Sequence, residues 1–443
     1  MIPRNLSIIW LSLIFFLIYL FLYLRKKKNN EILYIIIPLI CIGIWAIHSL
    51  IIVYYNPQIS YYDFDIYYYS GRQLLIDPNR LYKKESSLFV TIAYLPFFLI
   101  LWAISLSLLP YYISYFIWYI LNYIFAVLFI LEFNKILKLL GVKEKIHRFL
   151  FLIVISNGFL IFFQFFFSQS KFLVGTILFF ILRREIQYKK EEKEKDFKYK
   201  FITYFLFVMI VGMIPYFLFL LLIFIFHDIP FGELFEKENL KTYGLVALIF
   251  LAQNFLFIIY PGLIFDFFLI SQYFHNLQFF LPHYYLIFIN KIFFIPIVAR
   301  IIVSLILIIF MYVIIGFLLI TKKLKIHEKF SYFAISFIFL NYLAFKILII
   351  LLPLTLLLFI PFFYQDEIAI DFIKKNKYIL IGLISVLGIY LTWDRIVAIN
   401  LHYPNLFGGS AGWLIFTVLL GICLLKLHLD KDFYIIERKT EDC

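Results

Sequence analysis

An all-α, polytopic membrane fold follows from three features of the sequence. Of 443 residues, 64% are hydrophobic and 22% aromatic, only 15% carry charge, and the mean hydropathy of +0.97 lies far above that of soluble domains. Apolar stretches of about 20 residues, enough to cross a hydrocarbon core of roughly 30 Å, recur from Leu6 almost to the C-terminus. Charged residues gather in short clusters between those stretches, and no polar segment is long enough to form a separate soluble domain.

A net charge of +13 is compatible with a nucleic-acid partner, but its basic clusters alternate with apolar runs, as cytoplasmic loops do under the positive-inside rule. The expected partner is the lipid bilayer and no nucleic acid. Cys41, Cys423 and Cys443 have neither metal-ligand nor paired spacing, so no disulfide framework or zinc site is indicated. The first apolar stretch is long and lacks a small-residue cleavage site, which predicts a retained helix.

The stretch "RKKKNNE" at 25–31 fixes the topology, because four consecutive cations should stay in the cytoplasm. Residues 1–30 are then an extra N-terminal transmembrane helix and basic loop, and 31–443 the main transmembrane domain. The next helix, Ile32 to about Tyr54, runs outward and delivers "YYDFDIYYYSGRQLLI" (61–76) to the outer side. If both following runs, 88–109 and 111–133, spanned the bilayer, the cationic segment 132–148 would lie outside. The run 88–109, with Pro96, Trp102 and Ser105, is therefore expected to lie along or dip into the outer interface.

Helices at about 149–167 and 170–183 then form an out-and-back hairpin, and 183–200 is a solvated cytoplasmic linker. The run 201–226 is interrupted by "GMIP" at Pro215, which fits two short helices better than one kinked span. In 332–363, Lys346 sits mid-run; a lysine at the bilayer centre costs about 2.5 to 3.5 kcal/mol, so a turn or polar cavity is expected there. This threading makes about thirteen spans. Thirty of the forty Lys and Arg residues fall in its cytoplasmic segments, the bias that a correct topology requires.

The same threading collects Asp63, Asp65, Arg72, Arg80, Lys83, Gln169, Lys171, His275, His283, Lys291, Arg300 and Lys346 near the outer side. Ionisable residues at membrane depth are expensive and usually face a cavity, so an outer site for an anionic ligand is the default expectation. Individually, outer-loop cations more often touch lipid headgroups. Asp63 suits either the cap of a following helix or a base for an incoming hydroxyl, and spacing alone leaves these level. An Asp-x-Asp pair also suits a divalent cation, which nothing else in the sequence indicates.

The order of residues around that pair resembles glycosyltransferase family 87 of the GT-C superfamily, enzymes that use polyprenyl-phosphate-linked sugars. That family opens with a pattern close to Asp-Phe-x-Val-Tyr-Tyr-x-Ala-Gly-x-x-Leu-Leu, followed by a Tyr-x-Pro helix ending in Leu-Pro. Asp63, Phe64, Ile66, Tyr67, Tyr68, Ser70, Gly71, Leu74 and Leu75 fit the first part, and Tyr94 and Pro96 the second. "SQSK" (168–171) is similar to its Gly-Gln-x-Asn, keeping Gln169 but with Ser168 for Gly and Lys171 for Asn. "GMIP" keeps Pro215 but has Gly212 in place of a lysine, and "FKILIILLP" has Lys346 about where a histidine would stand. The similarity covers about residues 32–365 and is most specific over 63–96.

The resemblance implies a GT-C-like helix bundle whose first outer loop, about 55–110, carries an interfacial helix and the catalytic residues. It implies an inverting transfer of a sugar, mannose by family, from a polyprenyl-phosphate donor to a hydroxyl of a glycolipid or glycan acceptor on the extracytoplasmic face of the cell membrane. Asp63 is the expected general base, with Asp65 orienting it or raising its pKa by like-charge repulsion. Tyr67, Tyr68, Arg72, Tyr94, Gln169 and His275 are expected to bind substrate, and Lys171, Arg300 and Lys346 to face the leaving phosphate. No metal ligand set and no cofactor beyond the donor are expected. A flippase of a lipid-linked glycan is the main alternative, although no convincing internal repeat is visible, and a polysaccharide polymerase or ligase is another.

Overall fold

The apolar runs fold as helices throughout the described residues. A computed structural model of the chain describes residues 33–55, 62–82, 94–143, 145–156, 159–229, 231–267, 297–321, 324–340, 347–358 and 360. Fourteen α-helices are used below: α1 (Leu33–Tyr55), α2 (Tyr62–Ile76), α3 (Pro96–Ala103), α4 (Tyr111–Leu139), α5 (Lys145–Ser156), α6 (Phe159–Phe166) and α7 (Lys171–Lys190). They continue with α8 (Phe197–Met213), α9 (Leu218–Phe226), α10 (Lys237–Gln253), the single turn α11 (Leu256–Ile259), α12 (Ile297–Ile320), α13 (Ile326–Leu340) and α14 (Leu348–Leu357). The described residues contain no strand. The expected N-terminal helix and basic loop (1–30) lie outside the described residues, as do Lys83, His275, His283, Lys291, Lys346 and the chain beyond 360.

Two described helices are long and apolar enough to cross a membrane, α1 over Tyr34–Tyr54 and α4. At 1.5 Å per residue the 21 residues of the first reach about 31 Å. α4 is the central helix. It packs along α7 and also meets α1 and α5. α7 presents Gly175 to it, where a Cβ would stand 2.6 Å from Phe129 Cε2, so no larger residue fits without moving that ring. α14 also packs on α7, its Ile350 reaching the same Gly175, and pairs with α13, whose Ser331 hydroxyl donates to Leu354 O at 2.6 Å.

α3 has eight residues and spans about 12 Å, less than half a bilayer core. A 3-10 turn, Leu106–Leu108, and Pro110 then lead into α4. The break expected at Pro215 is present: α8 ends at Met213, Ile214 is extended at φ −136°, and a 3-10 turn, Pro215–Phe217, precedes α9. Proline has no N–H and drives the residue before it out of the helical region, which accounts for the break.

Two helices outrun their apolar stretches. α7 continues to Lys190, seven residues past the expected end, because Arg183 donates to Gln187 Oε1 at 3.1 Å and Gln187 to Glu191 Oε1 at 2.8 Å. Such i,i+4 pairs sustain a polar helix. α4 likewise runs to Leu139, its buried Glu132 holding Lys135 at 2.8 Å and Arg183 of α7 at 2.5 Å. The linker expected over 183–200 shrinks to 191–196. Its Lys195 bridges buried Glu185 at 2.6 Å and Asp228 at 2.7 Å, and Asp228 also meets Lys189 at 2.8 Å. One end of the α4–α7 pair is thus a network of ion pairs, and the opposite end carries the acidic pair of α2.

Candidate functional site

α2 begins at Tyr62, so Asp63 lies in its first turn, where a negative charge suits the helix dipole. Consecutive helical residues turn by about 100°, which sends Asp63 and Asp65 to faces about 200° apart. Asp65 faces the start of α4 and accepts a hydrogen bond from the Tyr111 hydroxyl at 2.5 Å. Burial raises its pKa above the ordinary carboxylate value, and the Tyr111 bond opposes that rise. The expected coupling between the two carboxylates therefore has little geometric basis.

Asp63 and Tyr67 are four residues apart and share a face of α2. Tyr67 is fully buried, and its hydroxyl meets Tyr94 Oη at 3.1 Å, donates to Ser170 Oγ at 3.1 Å and accepts from the Ser170 N–H at 3.3 Å. Burial, and after it the charge of Asp63, pushes the Tyr67 phenol well above its usual pKa. The Tyr94 phenol is also raised, by burial first, then by Tyr67 and Asp63. Both phenols stay protonated over the physiological range and act as hydrogen-bond donors. Lys171, buried in the first turn of α7, places Nζ 5.9 Å from the Tyr94 ring centroid. Asp63, Tyr67, Tyr94 and Lys171, drawn from three segments, converge at one end of the bundle.

The turn carrying Ser170 and Lys171 is fastened from behind. Trp118 Nε1 donates to Ser168 O at 2.9 Å and Asn122 Nδ2 to Gln169 O at 2.8 Å, while the Gln169 N–H donates to Gln164 O at 2.9 Å. Ser168 is left-handed at φ +50°, a conformation that favours glycine. Gln169 is buried, and its side-chain carbonyl has no hydrogen-bond partner among the described residues. Tyr94 is anchored too: Tyr82 Oη donates to Tyr94 O at 2.8 Å, and the next residue's N–H, Leu95, donates to Gly212 O at 2.9 Å. The "GMIP" break thereby sits against the start of α3.

Tyr68 and Arg72 point elsewhere. Tyr68 donates to Leu109 O at 2.9 Å and carries the Arg72 guanidinium 5.3 Å from its ring centroid, while Arg72 Nε donates to Ser107 O at 3.3 Å. These two fasten α2 to the turn before α4. Gly71 permits that contact, since a Cβ there would strike Ser107 Oγ and approach Ala103 N to 3.0 Å. Arg300 lies on α12; His275 and Lys346 lie outside the described residues.

Ser170, Trp118 and Asn122 were not singled out in the sequence, and Tyr82 entered only as part of the "LY" at 81–82 that follows the family-like opening. Asn122 carried a readable signal, an amide in mid-span, where polar groups are costly. The others look like ordinary interfacial or core residues. No group of three or more His, Cys, Asp or Glu among the described residues could hold a metal ion. Chemically, the arrangement offers a half-buried carboxylate able to accept a hydroxyl proton and, in the first turn of α7, the ammonium of a buried lysine. The chain matches no family model, no curated protein and no solved structure.

Proposed function

We propose that the chain is a multi-pass membrane glycosyltransferase with a GT-C-like bundle of about thirteen spans, acting at the extracytoplasmic face of the cell membrane. It moves a sugar, mannose by the family resemblance, from a polyprenyl-phosphate donor to a hydroxyl of a glycolipid or glycan acceptor. The observation that carries this reading is the convergence of Asp63, Tyr67, Tyr94 and Lys171 from α2, the residues before α3 and the start of α7, where the tie from Tyr67 to Ser170 spans 103 positions. The left-handed backbone of Ser168, where the family pattern has glycine, also supports it.

In this mechanism the Asp63 carboxylate takes the acceptor O–H proton as the oxygen attacks the anomeric carbon from the face opposite the phosphate. The bond from that carbon to the phosphate oxygen breaks, its electron pair stays on the polyprenyl phosphate, and the configuration inverts. Lys171 sits ready to balance the charge that develops on the leaving group. Tyr67 and Ser170 hold the two charged residues in register, and α3, too short to span, lies along the outer interface.

The test supplies purified protein with a radiolabelled polyprenyl-phosphate sugar and an acceptor lipid extract. Wild type should transfer label, Asp63→Asn should lose at least 100-fold, the usual scale for a general base, and Lys171→Met should raise the donor KM. Wild-type rates from Asp63→Asn would remove Asp63 from the base role. Absence of transfer by wild type together with passage of lipid-linked glycan across liposomes would favour the flippase.

A further inference from the structure

The far end of the α4–α7 pair contains a cation set apart from the ion-pair network around it. Arg183 is bound to Glu132 and Gln187, Glu185 to Lys195 and the Tyr199 hydroxyl, and Lys189 to Asp228. Arg184, between them in sequence, makes no hydrogen bond or ion pair among the described residues. Its guanidinium is instead held against aromatic rings, 4.5 Å from the centroid of Tyr199, 5.5 Å from Phe180 and 5.9 Å from Tyr188. A guanidinium fixed by ring faces keeps the N–H groups at its edge free for an acceptor, and its planar fork matches the oxygens of a phosphodiester.

The surroundings are those of a membrane interface. The site stands at the C-terminal end of α7, where 183–200 holds eight Lys and Arg against five Asp and Glu. Tyr199 is flanked by Lys198 and Lys200, and its position is fixed because the Asp196 side chain caps α8 by accepting from the Tyr199 N–H at 2.7 Å. In the same first turns of α8, Phe197 is 70% and Phe201 42% exposed. Their rings continue into a ladder, 6.2 Å from Phe197 to Phe201 and 6.0 Å from Phe201 to Phe205. Exposed aromatic rings beside basic residues at a helix end are the pattern of headgroup level in a bilayer.

We propose that Arg184, held against the rings of Tyr199, Phe180 and Tyr188, forms a binding site for the phosphodiester headgroup of an anionic glycerophospholipid in the leaflet at the C-terminal end of α7. This rests on the bundle being in a membrane and not on glycosyl transfer. The cations of Arg183, Lys189 and Lys195 are spent on carboxylates, so the lipid is read by the one caged guanidinium. The bound lipid would tie α7 to α8 across the 191–196 turn.

The experiment uses full-length protein in detergent, with native mass spectrometry of retained lipid after exposure to equal phosphatidylglycerol and phosphatidylcholine. Wild type should keep phosphatidylglycerol at least fivefold over phosphatidylcholine, Arg184→Ala should lose about fivefold of that preference, and Arg184→Lys should lose less. Equal retention of the two lipids by wild type, or an unchanged preference in Arg184→Ala, overturns the proposal. Inorganic phosphate and glycerol 3-phosphate are run as competitors; displacement of phosphatidylglycerol at equimolar concentration would mean a site for a free phosphate and overturns it too. Should Arg184→Ala fail to give wild-type helix content, Arg184→Gln, which keeps a long polar side chain without the charge, decides in its place: a fall in preference supports the site and no change overturns it.

Discussion

Removing one oxygen, by Tyr67→Phe, tests whether the α2 to α7 clamp organises the site. The ring itself is held by edge contacts to Tyr94, Phe98 and Trp102, with centroids 5.2, 5.1 and 5.2 Å away, and phenylalanine keeps all three. What disappears is the hydroxyl, with its contacts to Tyr94 Oη, Ser170 Oγ and Ser170 N–H at 3.1, 3.1 and 3.3 Å. Each buried neutral bond contributes about 1 kcal/mol net, and leaving the buried Ser170 N–H without an acceptor costs about 1 kcal/mol or more. Tyr94 and Ser170 can still rotate toward one another, which returns part of this. The expected loss is about 2 kcal/mol. Reversible unfolding in detergent, followed by far-UV circular dichroism, reads it, and a cycle with Ser170→Ala should show coupling of about 1 kcal/mol between the positions. A loss under about 0.5 kcal/mol, or additive single changes, would refute the clamp. Under the proposed function the same variant should lower transfer, since the carboxylate and ammonium lose their common tether.

Gly71→Ala should destabilise by about 1 to 3 kcal/mol, because its Cβ meets Ser107 Oγ and breaks that hydroxyl's 2.9 Å bond to Tyr68 O; thermal unfolding would show it, and Gly71→Ala/Ser107→Gly should recover part. Ser168→Gly should stabilise by about 0.5 to 1 kcal/mol by relieving the left-handed backbone at φ +50°, and a fall in melting temperature would contradict this. Asp65→Asn should alter the pH profile of stability. The raised pKa means that the folded state binds the proton more tightly than the unfolded chain, so wild-type stability falls as pH rises from the ordinary value of 3.8 through the raised one and is level above it. The asparagine variant, still able to accept from Tyr111, should lack that decline in melting curves taken from pH 3.5 to 8.

The helical class was legible because it depends on averages: hydropathy over twenty residues and the placement of basic clusters do not need a partner to be known. The break at Pro215 was legible for a local reason, the missing N–H and the constraint on Ile214. Helix ends were not. α7 outlasts its apolar run through Arg183, Gln187 and Glu191, whose i,i+4 bonds look in sequence like the charge mixture of a solvated loop. In the site, the period of 3.6 already set Tyr67 on the face of Asp63 and turned Asp65 away. The tie from Tyr67 to Ser170 spans 103 positions and leaves no trace in local pattern.

By itself, then, the sequence determined the helical class and the two stretches long and apolar enough to cross a membrane, because an apolar stretch that enters lipid must satisfy its backbone bonds internally. It also singled out Asp63, Tyr94 and Lys171 as separate candidates. Only the tertiary structure decided that they meet, that Tyr68 and Arg72 fasten α2 to the turn before α4 instead, and that Arg184 stands without an ion pair among the described residues while its neighbours are paired. The physical reason is that hydropathy is a property of each residue and its near neighbours. Burial of a hydroxyl, an ammonium or a guanidinium depends on which distant segment comes to lie against it.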